Sequence, residues 1–463
     1  MSIVSELRTM LKPGCRAHLV GIGGVSMYPL AEMLLSRGLI VSGSDMRDSD
    51  HLAHLRSQGV TIHLGHFPEN IQGADLVIRT AAVHDDNPEI AAARAAGIPV
   101  FERAQALGAL MSDYNHALCV SGTHGKTTTT SMCTHIVMEA GLDPTVMIGG
   151  DLPLLGCGYR IGQRDTIVLE SCEYCNSFLS FRPTVAVVLN VEEDHMDFFH
   201  SLEEIQQSFR TFAGLVPEDG WVVYNVDDAN TVQALEGIDR QTASFGLDRP
   251  ARFTARNLIY QQGLARFDLI DNGQYVCHIR LAVPGRHNVL NALAAAAAAR
   301  CMGIDGAAIA SGLSQYQGAG RRFEYRGTCN GAKVYDDYAH HPGELKTLLT
   351  TAKTLGYNRV ICAFQPHTYT RTIACFDGFV EQLSRPDKTV LMEIFPARET
   401  NTTGISSRDL AEKIPGAVYC ATLEETEAAL RALAQPGDLI LTVGAGELNR
   451  VAGRLTAQAE DAR

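Results

Sequence analysis

The chain has 463 residues, more than one ordinary core organises, since domains usually take about 100–200 residues. Hydrophobic residues make up 46% and charged residues 20%, which excludes a disordered chain. The formal net charge of −13 argues against a nucleic-acid partner, because the overall field repels a polyphosphate backbone.

Met1 to Pro13 lacks the apolar stretch of a signal peptide, and no run of about 18 apolar residues follows, so no membrane insertion is expected. Twelve scattered cysteines without a secretory signal read as reduced thiols, which makes the compartment cytoplasmic. In chain order, 17–21 reads as a strand, followed by Gly21-Ile22-Gly23-Gly24 and an amphipathic helix to about Arg37. A second strand over 39–44 ends at Asp45, strands follow at 74–80 and 98–101, and a helix spans 88–96. The turn with Gly21, Gly23 and Gly24, together with Ser44 and Asp45 at the end of the next strand, imitates a dinucleotide fingerprint but has Ser26 in place of the third glycine. A nucleotide or sugar nucleotide other than NAD suits it better. This first unit, 1–107, is Rossmann-like.

A strand over 116–120 runs into Gly122-Thr123-His124-Gly125-Lys126-Thr127-Thr128 and a helix to about Ala140. This is a P-loop: amides at a helix N-terminus cradle phosphate, Lys126 meets the β/γ-phosphates, and the Thr127 hydroxyl can ligate Mg²⁺. It is shortened, with Val120 where the standard run begins with Gly. Strands over 165–169 and 184–189 lead into Glu170 and Asn190, at the strand ends where open α/β sheets place ligands. Glu170 and His195, the latter flanked by Asp194 and Asp197, are candidates for a magnesium site beside the γ-phosphate. Cys172-x-x-Cys175 has no second pair at ligand spacing and reads as local packing. The alanine-rich 291–300 is a closely packed helix. This central unit, 108–317, is a P-loop ATPase with a mostly parallel sheet.

The last unit, 318–463, has strands over 333–335, 360–364, 389–392 and 438–443 with helices such as 423–433, a second Rossmann-like α/β pattern. Its loops concentrate cations and hydrogen-bonding groups at 320–323, 336–342 and 365–372. Arginine beside phosphate-binding loops suits the charge of a transferring phosphoryl group.

The runs GIGGVSM, SGSD, SGTHGKTTTTS, NVEEDHMD, GRHNVLNALAA, RRFE, YDDYAHHP, FQPHTYTRT and FPARE together resemble the Mur ligases, from Gly21 to Gly446, and within them the alanine-adding branch. The resemblance implies three domains that take, in order, UDP-N-acetylmuramate, ATP with Mg²⁺, and L-alanine. It implies a carboxylate phosphorylated by ATP and then attacked by the amine. Lys126 and Thr127 would hold ATP and metal, with Glu170 and His195 as further metal ligands. His287, Asn288 and Asn291 would contact adenine, Arg322 and Asp337 would grip the nucleotide, and His367 and Arg371 would take the alanine carboxylate. Where relatives carry an acidic run, this chain has Ser171-Cys172-Glu173-Tyr174-Cys175, and no role is carried to its second and third positions. Many relatives have Arg where Thr368 stands, which places more of the alanine pocket on Arg371. No lysine occurs from Asp194 to Gly220 to serve as the carbamoylated lysine of sister ligases. A ligase for another amino acid or a peptide, and a conformational-switch P-loop ATPase, are the alternatives.

Overall fold

The computed structural model describes residues 3–163, 165–196 and 198–457. Asp197 lies outside them. Three sheets carry the architecture, each α/β and mostly parallel.

The first consists of β1 (Arg16–Val20), β2 (Ile40–Asp45), β3 (Thr61–Leu64), β4 (Leu76–Arg79) and β5 (Val100–Glu102), in the order β3-β2-β1-β4-β5 and parallel throughout. β1 lies where the strand order reverses, so the Gly21 turn leaves the sheet at its switch point.

The central sheet begins with β6 (His116–Ser121), β7 (Thr145–Leu152), β8 (Cys157–Arg160), β9 (Thr166–Glu170), β10 (Val185–Val188), β11 (Trp221–Asn225) and β12 (Gln241–Phe245). These run β12-β11-β10-β6-β9-β7-β8, and β7/β8 is antiparallel. β13 (Phe253–Gln261) enters beside β12 at Phe253, and β14 (Leu264–Asp271) and β15 (Gln274–Pro284) follow in the chain. Val185 to Val188 is buried at every position, as a strand covered on both faces requires. β6 is flanked by β9 and β10, which places the P-loop between their carboxyl ends. The helix after it, Lys126–Glu139, has four threonines of middling helix propensity after its first residue, yet ten of its 14 residues are buried. The Thr130, Ser131 and Thr134 hydroxyls bond back to carbonyls four residues earlier at 2.8 Å, which satisfies them inside the protein.

The third sheet contains β16 (Glu324–Cys329), β17 (Ala332–Asp337), β18 (Val360–Phe364), β19 (Lys388–Met392), β20 (Val418–Cys420) and β21 (Leu439–Val443). Its order is β16-β17-β21-β18-β19-β20, with only β16/β17 antiparallel.

By contacts the chain forms two compact units, one of 1–256 with 268–278 and 290–315, the other of 257–267 with 279–289 and 316–463. The first two sheets share one unit because a continuous apolar core runs from Val4 through Leu107 and Phe178 to Leu235. Position 107 falls inside the helix Arg103–Met111, which belongs to that shared core. Gly108 on this helix lies so near the Ser180 carbonyl oxygen that an added Cβ would come within 1.9 Å of it. Helix propensity alone would make Gly108→Ala stabilising by about 1 kcal/mol. The clash is with backbone and cannot rotate away, so the substitution is expected to destabilise by about 1–3 kcal/mol in urea unfolding. A stability at or above that of the parent would disprove the close packing.

Candidate active site

The P-loop is shaped by two glycines that no other residue replaces easily. Gly122 (φ 141°) is pressed against Leu189, where a Cβ would come within 2.8 Å, and Gly125 (φ 83°) lies equally near Asn291 Oδ1. Asn190, just past β10, clamps the loop: its Oδ1 accepts from the His124 N–H at 2.7 Å and its Nδ2 donates to the His124 carbonyl at 3.0 Å. The Glu192 N–H donates to Thr123 Oγ1 at 2.9 Å. Thr128 lies in the first turn of the helix, partly buried.

Lys126 folds back into its own loop. Its Nζ donates to the Gly122 and Thr123 carbonyls at 2.5 and 3.1 Å and pairs with Glu173 at 3.0 Å. The lysine side chain is 13% exposed and the glutamate 3%. Burial by itself would lower the lysine pKa, but the Glu173 and Glu170 carboxylates outweigh it and the pKa is raised, so the ammonium stays charged. Thr127 Oγ1 donates to Glu170 Oε1 at 3.0 Å, and the Gly149 N–H donates to Glu170 Oε2 at 2.6 Å. His195 Nε2 lies 3.7 Å from Glu173 Oε1 and 3.8 Å from Asp194 Oδ2. The structure thus pairs Thr127 with Glu170, and His195 with Glu173.

Glu173, the buried partner of Lys126, is the residue that the sequence did not single out. It stands in the run to which no role was carried, and its signal was an acidic residue three positions beyond the strand-end Glu170. Cys172 and Cys175 are both exposed, which overturns their reading as packing.

In the first sheet, the Gly23 N–H donates to Asp45 Oδ2 at 3.0 Å, and Gly21 (φ 81°) donates to the Ser44 carbonyl at 2.8 Å. The Ser44 side chain faces inward, donating to Glu89 Oε2 at 2.6 Å. Glu89 is fully buried and also takes Asn70 Nδ2 at 2.5 Å, His66 Nδ1 at 3.1 Å and, at 3.7 Å, His18 Nε2. Burial alone would raise its pKa, but the nearby His18 ring and hydrogen bonds from Ser44 and Asn70 bring it down to about 2.

In the second unit, Arg321 (φ 58°) pairs with Asp336 at 2.9 Å and donates to the Gly444 carbonyl at 2.5 Å, joining the ends of β17 and β21. Arg322 lies over the Tyr338 ring at 5.3 Å and 3.8 Å from Glu344. Asp337 accepts from the Phe323 and Ala339 N–H groups, both at 2.8 Å, and burial raises its pKa to about 6 against the lowering effect of Arg322. His367 pairs with Phe395 in an isolated bridge, and its ring stacks on that of Phe395 at 5.7 Å. Burial, reinforced by His340 and Arg371, lowers its pKa to about 4. A neutral ring accepts at Nδ1, where Arg371 Nη1 approaches to 3.4 Å. Thr368 (φ 69°) caps the short helix that carries Arg371, its Oγ1 accepting from the Arg371 N–H at 3.4 Å. His287 has its pKa lowered to about 4 by burial, beside Gly285, and Asn288 donates to the Pro284 carbonyl at 2.7 Å.

Comparison with known proteins covers nearly the whole chain. Residues 16–115 match the family model "Mur ligase family, catalytic domain", 120–299 "Mur ligase middle domain", and 321–446 "Mur ligase, glutamate ligase domain". A UDP-N-acetylmuramate–L-alanine ligase of Acetivibrio thermocellus is 46% identical over 94% of each chain. The protein of that name from Caldanaerobacter subterraneus subsp. tengcongensis is 41% identical over 94% of this chain and 96% of its own. The crystal structure of the Thermotoga maritima UDP-N-acetylmuramate–alanine ligase superposes with a TM-score of 0.80 at 29% identity, covering 97% of this chain and all of that one.

The buried Glu89 cluster has a pH signature. The folded pKa of about 2 lies below the ordinary carboxylate value, so its contribution is full above about pH 4.5 and is lost as pH falls through about 2. Glu89→Gln is expected to cost about 3 kcal/mol in denaturant unfolding at pH 7, and less at pH 3. A difference independent of pH would mean that Glu89 is not held as a carboxylate.

Proposed function

Because the chain belongs to the Mur ligase family, we propose that it joins L-alanine to UDP-N-acetylmuramate, with ATP converted to ADP and phosphate, in cytoplasmic peptidoglycan precursor synthesis. The observation that carries this reading is the alignment along 94% of the chain with relatives named for that reaction. No helix among the described residues is long and apolar enough to cross a membrane.

An unactivated carboxylate is a poor electrophile. In this reading a carboxylate oxygen of UDP-N-acetylmuramate attacks the γ-phosphorus, and the bond to the bridging oxygen of ADP breaks. The alanine amine then attacks the acyl carbon, phosphate leaves, and the amine gives up a proton. Both steps bring anions together, so their barriers fall with fixed positive charge and oriented donors. Lys126 supplies the charge: its partners in the structure are carbonyls and one carboxylate, which γ-phosphate oxygens replace. The amides of 122–128 and the helix N-terminus add dipoles of the same sign.

Thr127, Glu170 and His195 would hold Mg²⁺, and the hydroxyl and carboxylate that meet at 3.0 Å are the hard oxygen donors it prefers. When bound, the cation neutralises charge on the transferring phosphoryl group. His287, Asn288 and Asn291 serve adenine, Arg322 and Asp337 the nucleotide, and the 21–24 turn with Ser44 and Asp45 the UDP moiety. The Ser44 contribution is through its backbone, since its hydroxyl is committed to Glu89. His367 and Arg371 take the alanine carboxylate: the neutral imidazole accepts one N–H of the guanidinium and leaves the others for a bidentate pair.

Phosphate release is expected only when UDP-N-acetylmuramate and L-alanine are both present. Turnover without acceptor would indicate a switch ATPase, and turnover with a peptide but not alanine a sister ligase. Lys126→Ala is expected to lower kcat about 10²-fold or more in protein that is still folded at the assay temperature, and to lower the thermal unfolding midpoint because Glu173 is left buried without its cation. Near-normal turnover at saturating ATP would refute the loop assignment.

Arg371→Lys keeps the charge but not the fork. The KM for L-alanine should rise about tenfold or more, while those for ATP and UDP-N-acetylmuramate hold. An unchanged alanine constant would place the acceptor site elsewhere.

A further inference from the structure

One cluster beside the P-loop offers a chemistry that ligation does not require. A ligand atom from each of Cys172, Glu173 and His195 lies within 4.8 Å of the others, the one such group of three or more among the described residues. We propose that these side chains form a binding site for a thiophilic divalent cation, Zn²⁺ above all, at the edge of the nucleotide loop.

Zn²⁺ takes thiolate, imidazole and carboxylate ligands tetrahedrally at roughly 2.3, 2.0 and 2.1 Å, which sets the ligand atoms about 3.3–3.6 Å apart. His195 Nε2 and Glu173 Oε1 are already 3.7 Å apart. The remaining approach falls to Cys172, whose sulfur already lies within 4.8 Å of the other two ligand atoms. The His195 backbone sits at φ 54° with its amide N–H donating to Asp194 Oδ1 at 2.7 Å, and its ring packs 4.7 Å from that of Tyr174. Three protein ligands leave a fourth position for water. Mg²⁺, which prefers an oxygen octahedron, has no use for the sulfur, so Cys172 is what selects the softer ion.

In sequence Cys172-x-x-Cys175 lacked a second pair to complete a metal site. The fold supplies Glu173 and His195 in that place, and Cys175 stays outside the group. Binding releases the Cys172 thiol proton to solvent and forms the metal–sulfur bond. It also takes up His195, which the reading above gives to Mg²⁺. Zn²⁺ and Mg-ATP would therefore oppose each other, and that consequence, unlike the site itself, rests on the nucleotide reading above.

The test uses the full chain, freed of metal and without nucleotide, titrated with Co²⁺ as the spectroscopic substitute for Zn²⁺. One equivalent should give a thiolate-to-cobalt charge-transfer band that Zn²⁺ abolishes. C172S should lose the band and, against a chromophoric chelator, bind Zn²⁺ about tenfold or more weakly. C175S should keep both. Absence of the band in the parent protein, or Zn²⁺ affinity retained by C172S, would overturn the proposal. Neither measurement needs turnover, so a failure of the ligase reading would leave this result intact.

Discussion

A lysine ammonium and a glutamate carboxylate meet at 3.0 Å where little water reaches, and the nucleotide loop is organised around that pair. Removing one partner of such a pair typically costs about 3–5 kcal/mol, because the other is left charged and unsolvated. Lys126 is therefore held in the loop by the protein's own groups. The carbonyls of Gly122 and Thr123 share the charge, which fixes the loop in the shape that aims its amides at an anion. Glu173 in turn stands between Lys126 and His195, so a single carboxylate links the loop lysine to the imidazole.

The same economy recurs in the other two sheets. In the first, the buried charge of Glu89 gathers Ser44, His66 and Asn70, and so ties the end of β2 to the segments around it. In the third, Arg321 joins Asp336 at the end of β17 to the Gly444 carbonyl beyond β21, and this orders the turn that carries Arg322 against the strand end that carries Asp337. Each sheet keeps its polar chemistry at the carboxyl ends of parallel strands, where the chain must turn and where backbone groups are released from the ladder. Ion pairs at such points exact a desolvation cost, and their return lies in position more than in stability.

The parallel-strand architecture also explains the shared core of the first two sheets. The helix Arg103–Met111 presents alanines and Gly108 to its surroundings, and small side chains allow backbone to approach backbone. A contact of that kind is visible only once both partners are placed.

Local chemistry made much of the protein legible in its sequence. Alternation of apolar strands with helical patterns predicted α/β sheets, and 423–433 coincides with the observed helix Leu423–Leu433. The P-loop was readable because every requirement is local: a buried strand, glycines for positive φ, a lysine, and a helix N-terminus to follow. Glu170 was readable as a strand-end carboxylate for the same reason. Glu173 was not, since its role comes from Lys126, 47 residues earlier, and no period or spacing records that meeting. The threonine-rich start of the helix after the loop shows tertiary burial overriding weak propensity, and Glu89 shows a charge made tolerable by partners on three segments. Sequence by itself determined the apolar strands β6, β9 and β10, the glycine and lysine loop between a strand and a helix, and the residue types at those strand ends, because hydrophobic period and backbone sterics act over a few residues; β3, β7, β8, β11 to β16 and β20 went unread. Only tertiary structure decided which carboxylate faces which cation, since Coulomb and desolvation energies depend on distances that the chain sets by folding across tens to hundreds of residues.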